Sequence, residues 1–302
     1  MADSDPKSPS ALDPAATAPA RQSVGMRVVT WNLQGRVGAW TARARAVATV
    51  LDALDPDVVT LQESWVEPSG ATQAAHLATE LGWYSVTAAD LAGFDLYPQA
   101  PYWVVNAVLS RWPLTVETAV PLHDEHGEPT WRHALLARVA RPDAEGGSFL
   151  VVGTHLEHGL DRSATRQAQA RHLARVVAGA LGDRATWSDA LPAVLAGDLN
   201  AVPWSDEVRG LTGASAPLVD GLVFVDTWEA AGNTGRGETW SSANPLVPKR
   251  AVYPDRRLDY VMVSWPRRRH AGHVAACQIA GTAAVDGNWP SDHYAVVADI
   301  DM

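Results

Sequence analysis

Leu191-Pro192-Ala193-Val194-Leu195-Ala196-Gly197-Asp198-Leu199-Asn200-Ala201 is the stretch from which the rest of the chain can be read. Leu191 to Ala196 is apolar and short, as expected of a strand buried on both faces. Asp198 and Asn200 follow it two residues apart, so on extended backbone both side chains point to one side. A carboxylate and a carboxamide presented together at the end of a buried strand suit a hard divalent cation, or a water held beside one. The competing reading is an Asp-Asn turn that merely closes the strand, since both residues favour turns.

The same design recurs along the chain. Arg27 to Trp31 is a β-branched strand that ends at Asn32, and Val58 to Leu61 is a second that ends at Gln62-Glu63. Phe149 to Thr154 runs into His155, and Asp292-His293 immediately precede the last strand, which reaches Ile300. Asp259 lies within the strand Leu258 to Val263, where an ionisable group is costly without a partner. Polar groups at the ends of so many apolar strands point to one cleft at one edge of the sheets.

Between these strands, Thr41 to Leu54 has helical spacing and is stopped by Asp55-Pro56. Ala74 to Leu81 reads as a short helix, Ser163 to Leu181 as a long one and Asp206 to Leu211 as another short one. Val104 to Ser110 and Leu114 to Val120 flank Arg111-Trp112-Pro113, a turn between strands. His133 to Ala140 pairs with the Phe149 strand across a polar turn at Pro142 to Gly147, and Gly232 to Asp255 is a long Gly-, Pro- and Asn-rich loop. With strands outnumbering interspersed helices, no internal repeat and no composition shift after residue 25, the expectation is one α/β domain over residues 26–302, with two sheets packed face to face and helices outside. Met1 to Gly25, rich in Ala, Pro, Ser and Asp, reads as a disordered leader.

Composition bounds the function. The 302 residues are 47% hydrophobic and 19% charged, enough for a large core. Cys277 is the single cysteine, which excludes an internal disulfide framework and a thiolate-only metal site. A formal net charge of −10 makes the chain a poor generic binder of nucleic acid but leaves room for a local basic groove. No segment approaches the roughly 20 apolar residues of a membrane span, and the N-terminus does not look like a secretory signal, so a cytoplasmic protein is expected.

Taken in order, Thr30-Trp31-Asn32, Leu61-Gln62-Glu63, Asn106 to Ser110, Gly153-Thr154-His155-Leu156, Gly197-Asp198-Leu199-Asn200, Arg257-Leu258-Asp259-Tyr260 and Ser291-Asp292-His293 resemble the stations of the endonuclease/exonuclease/phosphatase superfamily. They span residues 27–300. The resemblance implies a four-layer α/β sandwich of the deoxyribonuclease I type, with two mixed sheets face to face. It also implies phosphoester hydrolysis by an activated water with a divalent cation, usually Mg²⁺, with Mn²⁺ as a substitute. On that reading Glu63, Asn32 and Asp292 hold the metal, and Asp198 and Asn200 orient and activate the water. His293 acts as base or phosphate ligand with its tautomer set by Asp259, and His155 donates to the phosphoryl oxygens. Gln34 stands where several nuclease members carry an acid, which weakens any case for a second metal carboxylate in that loop. Arg132 is a candidate phosphate contact, with an exposed strand arginine as the competing reading.

The substrate is less legible. Among thirteen tryptophans, Trp31, Trp40, Trp65, Trp204, Trp240 and Trp289 lie in or beside loops near the expected site, where they would either stack on substrate or pack the fold. Arg267-Arg268-Arg269 is a local basic cluster placed beyond the Leu258 strand and so away from the cleft. The expected substrate is a phosphodiester of nucleic acid, the alternative a small phosphorylated metabolite or lipid headgroup. A non-catalytic scaffold is the reading from another class, and no obligate protein partner is implied.

Overall fold

The computed structural model describes residues 25–91, 103–141, 147–253 and 255–302. The expected leader before Gly25 and most of the expected turn at Pro142 to Gly147 lie outside them. Among the described residues, twelve strands form two six-stranded sheets. The first sheet contains β1 (Met26–Asn32), β2 (Val58–Val66), β3 (Tyr84–Thr87), β4 (Trp103–Ser110), β11 (Val274–Ala280) and β12 (Ala295–Ile300), in the order β11-β12-β1-β2-β4-β3. The second contains β5 (Leu114–His123), β6 (Pro129–Ala140), β7 (Ser148–His155), β8 (Val194–Asp198), β9 (Val223–Asp226) and β10 (Asp259–Trp265), in the order β5-β6-β7-β8-β10-β9. The helices are α1 (Trp40–Leu54), α2 (Gln73–Leu81), α3 (Ser163–Leu181), α4 (Asp206–Thr212) and the single turn α5 (Thr227–Ala230). None of the described helices is long and apolar enough to cross a membrane.

Alternation along the strands explains the layers. Val28, Val58, Val151, Val194, Ala196, Val261 and Val296 face inward and form one apolar cluster between the sheets. Their neighbours turn the other way. Val29, Trp31, Val59 and Leu61 pack on Val47 and Leu51 of α1 and Leu77 of α2, and Val152, Leu195 and Met262 pack on Leu173 and Val177 of α3. Both faces of each sheet are therefore covered, which is why the central strands read as unbroken apolar runs. Two sheets between two helical layers make the four-layer α/β sandwich expected.

The halves share a plan. In the first sheet β1 and β2 are parallel, joined across α1; in the second β7 and β8 are parallel, joined across α3. Each parallel pair is flanked by antiparallel strands, β12 on β1 and β10 on β8. The C-terminal ends of all four parallel strands lie at one edge of the sandwich, and β12 and β10 start there.

Three differences from the sequence reading have local causes. Arg111-Trp112-Pro113 does turn the chain between strands, but not between neighbours: β4 belongs to the first sheet and β5 to the second, so these residues carry the chain across the sandwich. Strands β3, β9 and β11 occupy sheet edges and were not anticipated. The second strand does not stop at Glu63 but continues to Val66 through a bulge against β4.

Candidate active site

The bulge decides where Glu63 points. Pairing of β2 with β4 shifts register between Leu61 and Ser64, and Glu63 adopts a left-handed φ of 53°. An extra residue at a bulge breaks the alternation and re-aims a side chain. Gln62 and Ser64 stay buried while the Glu63 carboxylate enters the cleft. Beside it β1 ends at Asn32, paired with Gln62. The loop that follows is pinned by Arg43 of α1, whose buried guanidinium donates to the carbonyls of Leu33 at 2.8 Å and Gly35 at 2.9 Å, and to that of Pro290 at 3.1 Å. One arginine thereby ties the loop after Asn32 to the segment that carries Asp292 and His293.

On the other sheet β7 and β8 are matched residue for residue, Thr154 with Gly197 and His155 with Asp198. Only glycine fits at 197, because a Cβ there would run into the Thr154 carbonyl oxygen. Asn200 turns the chain with a φ of 48°; its N–H donates to Asp198 Oδ1 at 2.8 Å and its amide to the Leu156 carbonyl at 3.1 Å. The Asp-Asn turn is thus real, and it serves to aim Asp198 into the cleft.

Asp198 is the meeting point of the two sheets. Its Oδ2 accepts from Asn32 Nδ2 at 3.0 Å and lies 3.4 Å from His155 Nε2 and 3.9 Å from His293 Nε2. The other nitrogen of His293, Nδ1, is 2.8 Å from Asp259 Oδ2, and Asp259 pairs directly with Asp198 across β10 and β8. Burial, and then the Asp259 carboxylate, push the Asp198 carboxyl up to about 7. Burial works against a charged His293, but Asp259 and Asp198 together raise its pKa well above the ordinary value. His155 is held well below its ordinary value by burial and then by the Arg132 charge. The cleft therefore contains one histidine kept as a cation, one kept neutral, and an acid poised to take a proton near neutrality.

Glu63 and Asp292 form the acidic corner of the same cavity, which encloses about 370 Å³. Burial and the Asp292 charge raise the Glu63 carboxyl, and the His293 and Arg132 charges, then a hydrogen bond from Asn32, partly offset them. The two carboxylates and the Asn32 carbonyl, which also accepts from the Gln34 N–H at 3.0 Å, make an all-oxygen donor set, the kind a hard divalent cation takes. Asp198, Asp259 and His293 also bring one ligand-capable atom each within 4.8 Å of one another. In that cluster the His293–Asp259 hydrogen bond already commits two of the three donors to each other, so the Glu63–Asp292 corner fits a cation better.

All the candidate residues, Asn32, Glu63, His155, Asp198, Asn200, Asp292 and His293, line this cavity, with Asp259 buried behind His293. Arg132 lines it too, and the exposed-strand reading is corrected: the residue is 3% exposed and its guanidinium stacks 3.7 Å from the centre of the Trp131 ring. Arg256, His158 and Trp240 also line the cavity, Trp240 paired with His293 by a backbone bridge. Arg256 was not anticipated, although the doublet Arg256-Arg257 just ahead of Asp259 marks a stretch rich in polar groups entering a buried strand. Of the other loop tryptophans, Trp31 is core and donates to the His293 carbonyl at 2.9 Å, while Trp40 and Trp65 meet edge to face and Arg36 lies against both rings. The Arg267–Arg269 cluster follows Trp265, at the end of β10 opposite Asp259.

Behind the cavity the packing turns polar. Thr60 donates to Thr30 at 2.8 Å, and Asn106 donates through its side chain to the His133 carbonyl and through its N–H to His133 Nε2. Burial pushes the His133 imidazole down to about 4.

The model of the endonuclease/exonuclease/phosphatase family matches residues 29–293. The chain belongs to that family. Solved structures share the fold. An endonuclease/exonuclease/phosphatase protein from Bacteroides vulgatus is 21% identical with a TM-score of 0.67, over 92% of this chain and 99% of that one. One from Beutenbergia cavernae is 27% identical with a TM-score of 0.65, over 92% of this chain and 72% of the other. D. rerio TDP2, solved with a single-strand DNA product, is 21% identical with a TM-score of 0.65, over 92% and 99%. No curated protein is similar enough to count as a match. Within the endonuclease/exonuclease/phosphatase fold, the cleft residues come in matched sets from the two parallel strand pairs, Asn32 and Glu63 from one sheet and His155 and Asp198 from the other.

Proposed function

We propose that this protein is a divalent-metal-dependent phosphodiesterase acting on nucleic acid, with Mg²⁺ as its metal and Mn²⁺ as a substitute. The observation that carries the reading is Asp198: one buried carboxylate held by Asn32 and Asn200, faced by two histidines of opposite charge preference, beside a paired-carboxylate corner. Glu63, Asp292 and the Asn32 side-chain carbonyl would hold the cation, which would supply Lewis acidity at the phosphoryl oxygens.

The residues supply the remainder. Asp198 holds the attacking water and takes its proton as the new O–P bond forms and the ester O–P bond opposite breaks. Asn200 keeps Asp198 aimed. His293 receives a hydrogen bond partner in Asp259 at Nδ1, which leaves Nε2–H to meet charge growing on the phosphoryl oxygens. His155, neutral, adds a hydrogen bond there, and Arg132 adds fixed positive charge. The DNA product on TDP2 supports nucleic acid as the substrate class.

The reading is tested with a panel of plasmid, single-stranded DNA, RNA and inositol phosphates. Turnover of the polynucleotides that falls steeply with salt is expected, since each phosphate contact releases counterions. Salt-insensitive turnover confined to the small phosphomonoesters would replace nucleic acid with a small metabolite as substrate.

A further inference from the structure

Two more cavities open off the catalytic one. One of about 560 Å³ shares Asn200 and Arg256 with it; another of about 320 Å³ shares Glu63 and Trp131. Room for substrate therefore adjoins the reacting centre at Asn200 and Arg256, and again at Glu63 and Trp131.

The larger arm has an unusual rim. Trp204 is 68% exposed and Tyr253 is 60% exposed, on different loops, and both line this arm. Neither ring is buried in the core. An exposed ring offers a π-face, and aromatic bases stack on such faces with little regard to sequence. Cations accompany the rings. Arg236 lines the arm, exposed, and Arg256 stands where the arm joins the catalytic cavity. The Arg256 guanidinium lies 4.9 Å from the Trp240 ring centre, and its buried Nε has no hydrogen-bond partner. The third arginine of the arm, Arg166, is already engaged by Glu207 at 3.0 Å. The acids of the arm are engaged elsewhere, Glu207 by Arg166 and Asp255 by Ser241 and Ser242, so in a chain of net charge −10 two exposed aromatics with Arg256 and Arg236 beside the reacting centre make a local exception.

We propose that this arm is a subsite for the nucleotide next to the scissile phosphate of a single-stranded nucleic acid. Trp204 and Tyr253 stack on its base, and Arg256 and Arg236 face its phosphates. The proposal rests on the phosphodiesterase reading and adds the residues that hold the strand.

Two assays separate the subsite from the chemistry. Binding of a fluorescent oligodeoxyadenylate of about eight nucleotides is followed by anisotropy in EDTA, where the metal reading expects no turnover. Hydrolysis is compared between that oligonucleotide and bis(p-nitrophenyl) phosphate, too small to reach the arm. Trp204→Ala and Tyr253→Ala should each weaken oligonucleotide binding by about tenfold, the scale of one lost base stack. Their loss of kcat/KM should be at least about tenfold larger on the oligonucleotide than on the small diester, with Trp204→Phe recovering most of it. Trp265→Ala, an exposed tryptophan at the far end of β10, serves as the control and should bind as wild type does. Equal losses on both substrates, or unaltered binding in the Trp204→Ala/Tyr253→Ala double variant, would overturn the subsite. Wild-type turnover of the small diester with no binding of the oligonucleotide would also overturn it and leave the phosphoesterase reading intact. Trp204-dependent binding without hydrolysis of either substrate would keep the subsite and remove the activity.

Discussion

Four neighbours decide what the Asp198 carboxylate can do: Asn32 and Asn200 aim it, and His155 and His293 flank it. Replacing Asp198 or His293 by Ala removes a proton-transfer or charge-stabilising group and should lower kcat by at least about a hundredfold. Steady-state kinetics at saturating substrate checks this, and a loss below about threefold in both would remove Asp198 and His293 from the chemistry. A second residue-scale consequence concerns stability. The buried His133 titrates at about 4 in the fold, against roughly 6.5 in an unfolded chain. Between those values the unfolded state binds the extra proton, so stability is complete above pH ~6.5 and falls as pH drops toward ~4, by about 3 kcal/mol at most. Thermal unfolding followed across that window should show a shallower decline in His133→Gln than in wild type; parallel curves would show that His133 does not control it. Asp198, Asn200, Glu63 and His293 were legible in the sequence because each interrupts or closes an apolar run where a core has no use for it. Arg132 was harder, since the expectation for a strand arginine is solvent. The apolar run Ala134 to Ala137 just beyond it belongs to a strand buried on both faces there, and that was the available sign.

At the scale of elements, the closest constraint is the meeting of β7 and β8. Gly197→Ala sets a methyl group against the Thr154 carbonyl, and the strands must part to admit it. Overpacking of this kind costs about 1–3 kcal/mol, so the urea midpoint should drop, and the activity with it because Asp198 is the next residue. An unchanged midpoint would mean that the β7–β8 contact is looser than described. Central strands and long helices were readable because burial on both faces, or on one helical stripe, leaves a strong pattern. The edge strands β3 and β9 were not: each is four residues long and only partly covered, too short to show alternation. β11 is Val-Ala-Ala-Cys-Gln-Ile-Ala, whose small side chains carry little strand signal. Arg111-Trp112-Pro113 announces a change of chain direction, but nothing local distinguishes a hairpin from a crossing to the other sheet. The bulge at Glu63 was equally silent, because it is defined by its partner strand β4 and not by β2 alone.

Across the whole molecule, the two halves bring their parallel strand ends to one edge, and the chemistry belongs to neither sheet alone. Asn32 reaching Asp198 and His293 reaching Asp259 are contacts between the sheets, so the site exists only when the sandwich is closed. The cleft that results holds an acidic corner at Glu63 and Asp292 beside the base and the two histidines. Hydrolysis of bis(p-nitrophenyl) phosphate by wild type and by Glu63→Gln, each dialysed against EDTA and then titrated with Mg²⁺ or Mn²⁺, tests that arrangement most directly. Activity absent in EDTA, restored to wild type by either ion, and at least about tenfold more demanding of metal in Glu63→Gln is the predicted result. Full turnover by the wild type in EDTA would contradict the account.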